Sequence, residues 1–235
     1  MLKCKILDIQ GFKPAIHGMR NPKNSWNKSD SVFCNTEGCA FCEYDCDESE
    51  NVKWDNPNLN LCIGKNDMKL MKTLFNAGTE HRKYDRMIQV WMDIEAPLYW
   101  WKEFDTYKIG TVANSCSTMH KIAEKEFNWG DFSNEHLTHT DSHHMDENED
   151  AMNALQVVIN SLNYNRNKYL ETKDKKYWWQ MIQLLPSSYN QKRTVMMNYE
   201  VIARIIEQRS HHKLDEWHQL IDVLGELPYI KELME

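Results

Sequence analysis

The chain has 235 residues and a formal charge of −7, and 41% of its residues are apolar. That length is enough for a domain with a buried core, and we expect one main domain. The excess of acidic residues argues against binding to duplex nucleic acid, because the backbone phosphates require a net basic surface. No apolar run reaches the ~20 residues of a membrane-spanning helix or forms an N-terminal signal peptide, so we expect a cytoplasmic protein without a membrane partner.

The first part of the chain, residues 1–65, shows little periodicity. We predict an irregular N-terminal segment with one strand at residues 5–9. A cysteine-rich loop in this segment has the spacing C-x4-C-x2-C-x3-C, which can place four thiolates around zinc or an iron–sulfur cluster. The alternative is a reduced loop without metal, because the usual paired C-x2-C knuckles are absent. The candidate metal ligands are Cys34, Cys39, Cys42 and Cys46.

The remainder, residues 66–235, has regular patterns and is predicted to be an α+β domain. We expect a small antiparallel sheet and a helix-rich second half. Asp67 is the predicted N-cap of a helix that ends at Gly78. Apolar residues then alternate over residues 88–94, which predicts a strand with one buried face.

An aromatic helix is predicted next, because Pro97 suits its first turn and Gly110 ends its pattern. A loop should follow Gly110 and lead into a helix over residues 117–127. Farther along, apolar residues at helical spacing predict four more helices. These are expected at residues 149–169, 175–185, 192–209 and 214–224.

The polar stretch DTYKIGTVANSCSTMH, residues 105–120, offers two kinds of chemistry. Cys116 is a candidate nucleophile if Lys108 or His120 lowers its pKa, although a small thiol in a turn is the more common role. The hydroxyl and amide groups around it are those expected near a bound phosphate or base edge. The same composition is typical of a capped turn.

Two segments of the chain resemble the flavin-dependent thymidylate synthases. The first segment, IQVWMDIEAPLYWWKEF, resembles the strand, the AP pair and the aromatic helix that precede the family signature. That signature, R-H-R-x-x-S-x-N-E-x-S-x-R, then falls on residues 106–118. The second segment is LPSSYNQKRTVMMNYEVIARIIEQR. It keeps the family's spacing from the L-P pair to an asparagine, here Asn198, and from that asparagine to an arginine, here Arg209. The resemblance covers about residues 66–222 in element order.

None of the fixed residues of the signature is identical in this chain. Lys108 keeps a positive charge at the second arginine, Thr111 keeps a hydroxyl at the first serine, and Cys116 replaces the second serine. Asn114 stands in place of the glutamate, and Thr118 in place of the final arginine. An amide both donates and accepts hydrogen bonds, so the change at residue 114 implies that a different pyrimidine edge is read.

The resemblance implies a function. In that family, FAD in its reduced form carries a one-carbon unit from methylene-tetrahydrofolate to dUMP, at sites between the subunits of a homotetramer. We therefore expect a pyrimidine nucleotide or derivative as ligand, FAD as cofactor, and one-carbon or methyl transfer with altered specificity by a homo-oligomer. The implied substrate-binding residues are Lys108, Thr111, Asn114, Cys116 and Thr118, and the implied flavin-binding residues are Asn198 and Arg209.

The replaced arginines favour an alternative. Losing several charged contacts to phosphate would abolish ordinary binding. Glu200, which stands where the family has another arginine, would add repulsion unless Lys192, Arg193 or Arg204 compensates. The chain would then be a non-catalytic protein that kept the scaffold, lost flavin chemistry and binds a nucleotide or a partner. The many Asn, Lys and Met residues indicate a bacterial or phage source.

Overall fold

The computed structural model describes residues 2–33, 61–139 and 150–235. In these ranges the strands are β1 (Lys3–Gln10), β2 (Val32–Phe33), β3 (Leu61–Cys62), β4 (Gln89–Pro97), β5 (Thr111–Ser115) and β6 (Asn190–Asn198). The helices are α1 (Phe12–Met19), α2 (Lys65–Asn76), α3 (Leu98–Phe104), α4 (Thr118–Lys121), α5 (Ala151–Thr172), α6 (Lys175–Leu184), α7 (Tyr199–Arg209), α8 (Asp215–Gly225) and α9 (Ile230–Met234). The α+β class and the helix-rich second half are therefore confirmed.

A small antiparallel sheet holds four of the strands in the order β1-β4-β6-β5, as the fold class predicted. Val90, Met92 and Ile94 of β4 are buried and alternate with half-buried neighbours, the period of two that the sequence showed. The edge strand β5 is mostly exposed, which suits its polar sequence. Separately, β2 and β3 form an antiparallel pair.

The described residues cluster into two compact units. The first unit comprises the described residues of 1–3, 94–106 and 114–193. Its core lies where α5 and α6 pack together, and Lys173 joins these helices in the left-handed conformation (φ 57°). The buried members of this core are Ile122, Phe127, Phe132, Leu155, Ile159, Leu162 and Met181.

The second unit comprises the described residues of 4–93, 107–113 and 194–235 and contains α1, α2, α7, α8 and α9. Aromatic side chains hold its core together. The ring of Phe12 meets the ring of Tyr199 edge to face at 5.4 Å, and the Tyr199 hydroxyl donates to the carbonyl of Pro228 at 2.8 Å. Such pairs combine apolar burial with a satisfied hydroxyl.

Asp67 has a different role from the predicted helix cap. Helix α2 begins at Lys65 with Gly64 as its N-cap, and the Asp67 side chain is fully buried. Its carboxylate accepts from the Arg20 guanidinium at 2.6 Å and from the hydroxyls of Ser29 and Ser31, each at 2.7 Å. This carboxylate therefore ties the segment after α1 to α2.

Three secondary-structure predictions for the part of the chain that resembles the family were wrong. The expected loop after Gly110 is strand β5, the helix expected over residues 117–127 is the single turn α4, and residues 192–198 are strand instead of helix. Helix α7 starts only at Tyr199, because the side-chain oxygen of Asn198 accepts from the backbone N–H of Val201 and caps it.

The N-terminal part contains more regular structure than expected. Strand β1 confirms the prediction at residues 5–9, and α1 follows it. The four-cysteine metal prediction lies outside the described residues, and no group of metal-binding side chains occurs within the described ranges. None of the helices in those ranges is long and apolar enough to cross a membrane.

Candidate functional site

The signature-like stretch, residues 106–118, passes through both units. It follows α3, turns at Gly110 and continues through β5 into α4. Three of the predicted substrate residues lie in the first unit: Asn114, Cys116 and Thr118. The other two, Lys108 and Thr111, lie in the second unit. The structure thus divides the predicted substrate residues into two groups.

A cavity of about 490 Å³ lies in the first unit, and we call it the Cys116 cavity. Its walls come from β4, from the end of β5 with α4, from residues 122–131 and from the start of β6. Cys116, Thr118 and Lys192 line it, as do Asn190 and Gln191, which the sequence did not single out. Asn114 does not line this cavity and is exposed on β5.

The backbone around Cys116 is held in place by hydrogen bonds from β6. The Cys116 N–H donates to the carbonyl of Lys192, and the Gln191 side-chain amide donates to the carbonyl of Cys116, both at 2.9 Å. The Gln191 side-chain oxygen accepts from Arg193 at 3.0 Å, which fixes its orientation. The Cys116 side chain is exposed at the cavity wall, so it is placed to touch a ligand.

Charged side chains around the Cys116 cavity form ion pairs. Lys121 pairs with Glu124, and Lys125 pairs with Asp131. A third carboxylate of the lining, Glu95, accepts from Lys3 at 2.8 Å. The hydrogen bond to the Asp131 carboxylate raises the pKa of Lys125, so the Lys125 ammonium stays protonated over the physiological pH range.

One polar atom of a residue that lines the cavity lacks a hydrogen-bond partner within the described ranges. The side-chain oxygen of Asn190 is buried, and no donor among the described residues reaches it. A buried acceptor left without a donor costs about 1–3 kcal/mol.

In the second unit, arginines surround the ring of Tyr107, and we call Tyr107, Arg204, Arg209 and Trp217 the Tyr107 cluster. The guanidinium carbons of Arg204 and Arg209 lie 5.5 and 5.6 Å from the centre of the Tyr107 ring, and that of Arg209 lies 4.6 Å from the Trp217 ring. The Nε of Arg209 donates to the Tyr107 hydroxyl at 3.0 Å. The sequence pattern found Arg209 but not its partners.

The two residues expected to bind flavin lie at opposite ends of α7. Asn198 caps its first turn, and Arg209 is in its last turn, about 16 Å away along the axis at 1.5 Å per residue. Asn198 is buried and used as a cap, whereas Arg209 is half-buried against aromatic rings. The structure therefore does not bring them together at one point.

Glu200 was expected to repel a phosphate unless a basic residue compensates for it. Its carboxylate accepts two hydrogen bonds from Arg86, at 2.5 and 3.0 Å. This bidentate pair neutralises Glu200, so the compensating cation is Arg86 and not Lys192, Arg193 or Arg204, which the sequence suggested.

Gly110 carries a prediction, because it turns the signature stretch with φ +81°. A side chain added there would lie 2.5 Å from the amide nitrogen of Asn198. We expect Gly110→Ala to lower the free energy of unfolding by more than about 1 kcal/mol, measured in urea. Gly78→Ala is the matched control, since φ is +108° there and the added atom meets nothing within 4 Å. Equal losses in both variants would show that contact with the helix cap does not matter.

The residues of the Tyr107 cluster fit the phosphates of a flavin dinucleotide. Two guanidinium groups lie together in it, and the Nε of Arg204 is buried with no acceptor within the described ranges. Arginine is well suited to phosphate because its planar group donates several hydrogen bonds. Lys108, exposed one residue after Tyr107, adds a further cation.

Comparison with solved structures finds the same fold in proteins of low sequence identity. Thymidylate synthase X from Helicobacter pylori, with FAD and dUMP, superposes with a TM-score of 0.63 at 16% identity, over 100% of this chain and 97% of that one. A second structure of that enzyme gives 0.63 at 15% identity, over 99% and 97%. A UMP/dUMP methylase from Streptomyces cacaoi, bound to 5-Br UMP, gives 0.60 at 10% identity, over 99% and 92%.

Sequence comparison alone does not find this relationship. No protein-family profile matches the chain, and no curated protein matches its sequence. The similarity is therefore one of three-dimensional structure across nearly the full length of both chains. The chain has the fold of the flavin-dependent thymidylate synthases.

Proposed function

We propose that this protein binds a pyrimidine nucleotide or derivative in the Cys116 cavity and acts on it as a thymidylate-synthase-like transferase. One observation carries the proposal. Cys116 and Thr118, selected from the signature register, both line a cavity of ligand size in a chain with this fold. Solved relatives of the same fold contain dUMP or 5-Br UMP.

In this proposal the residues of the cavity bind and orient the ligand. The Thr118 hydroxyl and the Asn190 amide offer short hydrogen bonds, and the Cys116 thiol touches the ligand without attacking it. Gln191 acts indirectly, because both ends of its amide are already engaged in holding Cys116 and Arg193. The changed pyrimidine preference inferred from Asn114 stays a prediction, because Asn114 does not line the Cys116 cavity.

We further propose that the Tyr107 cluster binds the cofactor together with Lys108, Thr111 and Asn198. Lys108 and Thr111 follow Tyr107 in the chain, and Asn198 caps the start of α7. Bound FAD would supply the electrons and the one-carbon carrier, as it does in the family that the sequence resembles. Arg209 and Arg204 would hold its phosphates. We also propose a homo-oligomer, a tetramer by resemblance, which light scattering of the purified protein would test.

Ligand binding tests the proposal directly. Isothermal titration calorimetry of purified protein should show binding of dUMP or dCMP, and the tighter of the two identifies the pyrimidine preference. Cys116→Phe, which fills the cavity from an exposed position, should weaken that binding by about tenfold or more, or ~1.4 kcal/mol. Ser115→Phe is the matched control, because Ser115 is exposed on β5 and does not line the cavity. Failure of both nucleotides to bind would overturn the proposal.

The non-catalytic alternative also has support in the structure. The cations expected to hold phosphate are partly replaced, and Arg86 is engaged by Glu200. Absorbance of the purified protein separates the two functions, because a yellow flavin spectrum favours the enzyme and a colourless protein that still binds nucleotide favours the alternative. Elemental analysis of the same sample tests the predicted zinc or iron–sulfur site at Cys34, Cys39, Cys42 and Cys46.

A further inference from the structure

We propose that the end of α5, the turn that follows it and the start of α6 form a surface that binds single-stranded nucleic acid. We call this surface the Trp179 patch, and it consists of Tyr169, Lys173, Lys175, Trp178 and Trp179. All five residues lie in the first unit, and none of them lines the Cys116 cavity. The proposal therefore goes beyond the proposed function and does not depend on it.

An exposed indole is the first feature that indicates this partner. Trp179 leaves 44% of its surface open to solvent, a large fraction for so large an apolar side chain. Trp178 meets it edge to face, with ring centres 4.9 Å apart. The indole N–H of Trp178 donates to the carbonyl of Met119 at 3.2 Å, so this neighbour is held in place. Nucleobases stack on exposed aromatic rings that are supported in this way.

The second feature is local positive charge in a chain that is acidic overall. Residues 168–176 contain four lysines against two carboxylates, a formal charge of +2, whereas the whole chain carries −7. Lys168 and Lys176 already pair with those two carboxylates. Within the described ranges, no carboxylate pairs with Lys173 or Lys175. These two ammonium groups can therefore pair with an incoming phosphate.

The two features occur side by side. The Nζ of Lys175 lies 5.9 Å from the ring centre of Trp178 and 5.7 Å from that of Trp179. The Nζ of Lys173 lies 6.0 Å from the ring centre of Tyr169. Each nucleotide of a single strand carries a phosphate and a base with an open face. A ring with an ammonium beside it matches both groups at once.

The same geometry disfavours two other polyanions. In a duplex the bases stack on one another, so their faces are hidden and an indole gains nothing. An anionic membrane calls for a continuous apolar surface, but Gln180 and Gln183 are exposed on α6 close to Trp179 in the chain and interrupt it. Single-stranded nucleic acid uses both the rings and the lysines.

Fluorescence anisotropy of a labelled oligodeoxythymidylate of about ten nucleotides tests the proposal on the purified full-length protein. The strand should bind at low salt, and an abasic strand of the same length and charge should bind about tenfold more weakly because it has no base to stack. A hairpin duplex should also bind at least about tenfold more weakly. Equal binding of the abasic strand or of the duplex would overturn the proposal. Binding to phosphatidylserine vesicles without binding to the strand would overturn it as well.

Two variants and one control assign the binding to this surface. Trp179→Ala should weaken binding of the strand about tenfold. Trp26→Ala should leave it unchanged, because Trp26 is equally exposed, at 43%, but stacks on His17 in the second unit. The slope of log K against log salt should be about −1.4 for two phosphate contacts and should fall to about −0.7 in Lys175→Gln.

Circular dichroism checks that each variant folds as the wild type does. Equal effects of the two tryptophan variants, or the same salt slope in Lys175→Gln and wild type, would show that the strand binds elsewhere and would contradict the proposal. Binding of dUMP or dCMP is measured separately, so failure of this proposal leaves the proposed function untouched.

Discussion

Replacing Asp67 with alanine should lower the free energy of unfolding by about 3–5 kcal/mol, because the Arg20 guanidinium would then be buried without its counter-charge. Arg20 is 4% exposed and Asp67 is 0% exposed, so water cannot replace the lost carboxylate. The same change removes the acceptor for the hydroxyls of Ser29 and Ser31. Burial alone would raise the pKa of Asp67, but hydrogen bonds from Ser31, Ser29 and Arg20 outweigh it and lower that pKa.

Urea denaturation of the wild type and of Asp67→Ala gives the measurement. Glu235→Ala is the matched control, since Glu235 is an exposed carboxylate 3.8 Å from Lys72, and its loss should change stability by less than about 0.5 kcal/mol. A similar small change for both variants would mean that the buried pair contributes nothing beyond a surface pair. The pair would then not be what holds the segment after α1 against α2.

Asp85 should make the protein less stable as the pH rises through the range from about 4 to about 7. Burial raises the pKa of this carboxyl to about 7, and the nearby Tyr84 and Arg82 side chains only partly offset that effect. Neither carboxylate oxygen has a hydrogen-bond donor among the described residues, because the Tyr84 hydroxyl donates to the carbonyl of Met71 instead. Between these pH values the unfolded chain has released the proton and the folded chain has kept it, so stability falls, by about 2–4 kcal/mol in total.

Asp85→Asn should remove this slope, because the amide does not ionise, and should raise stability at pH 8 by about 2 kcal/mol. Thermal or urea unfolding across the pH range measures the difference between variant and wild type. Asp222→Asn, at an exposed position of α8, is the control and should leave the slope as it is. An unchanged slope in Asp85→Asn would show that this carboxyl is already ionised in the folded protein.

The predictable part of the fold was the part with strong local patterns. Strand β4 follows from alternation, and helices α5, α6 and α8 follow from the spacing of apolar residues. The sequence did not reveal strand β6, because Val195 has the helical spacing of the apolar residues in α7. The apolar pattern of α7 therefore looked as if it began before Asn198, where the strand ends. Strand β5 was missed because an exposed edge strand needs no apolar face, and only its pairing with β6 reveals it.

The candidate site was predictable only where a linear motif ran through it. Cys116 and Thr118 come from the signature register, whereas Asn190 and Gln191 reach the same cavity from a distant part of the chain. Asp67 shows the same limit, since its position near a helix start predicts a cap. Only the folded structure shows that this carboxylate instead pairs with the buried Arg20 guanidinium.

The order of strands in the sheet has a consequence for how the chain is made. Strand β1 ends at Gln10 and pairs with β4, which begins at Gln89, and β4 in turn pairs with β6, which begins only at Asn190. Closing such long loops is slow, because the entropy is lost before the contacts form. During translation β4, which is apolar on one face, therefore emerges long before β6. Until the ribosome has passed Asn198, one backbone edge of β4 is open to other nascent chains, and this interval is where a chaperone would be needed most.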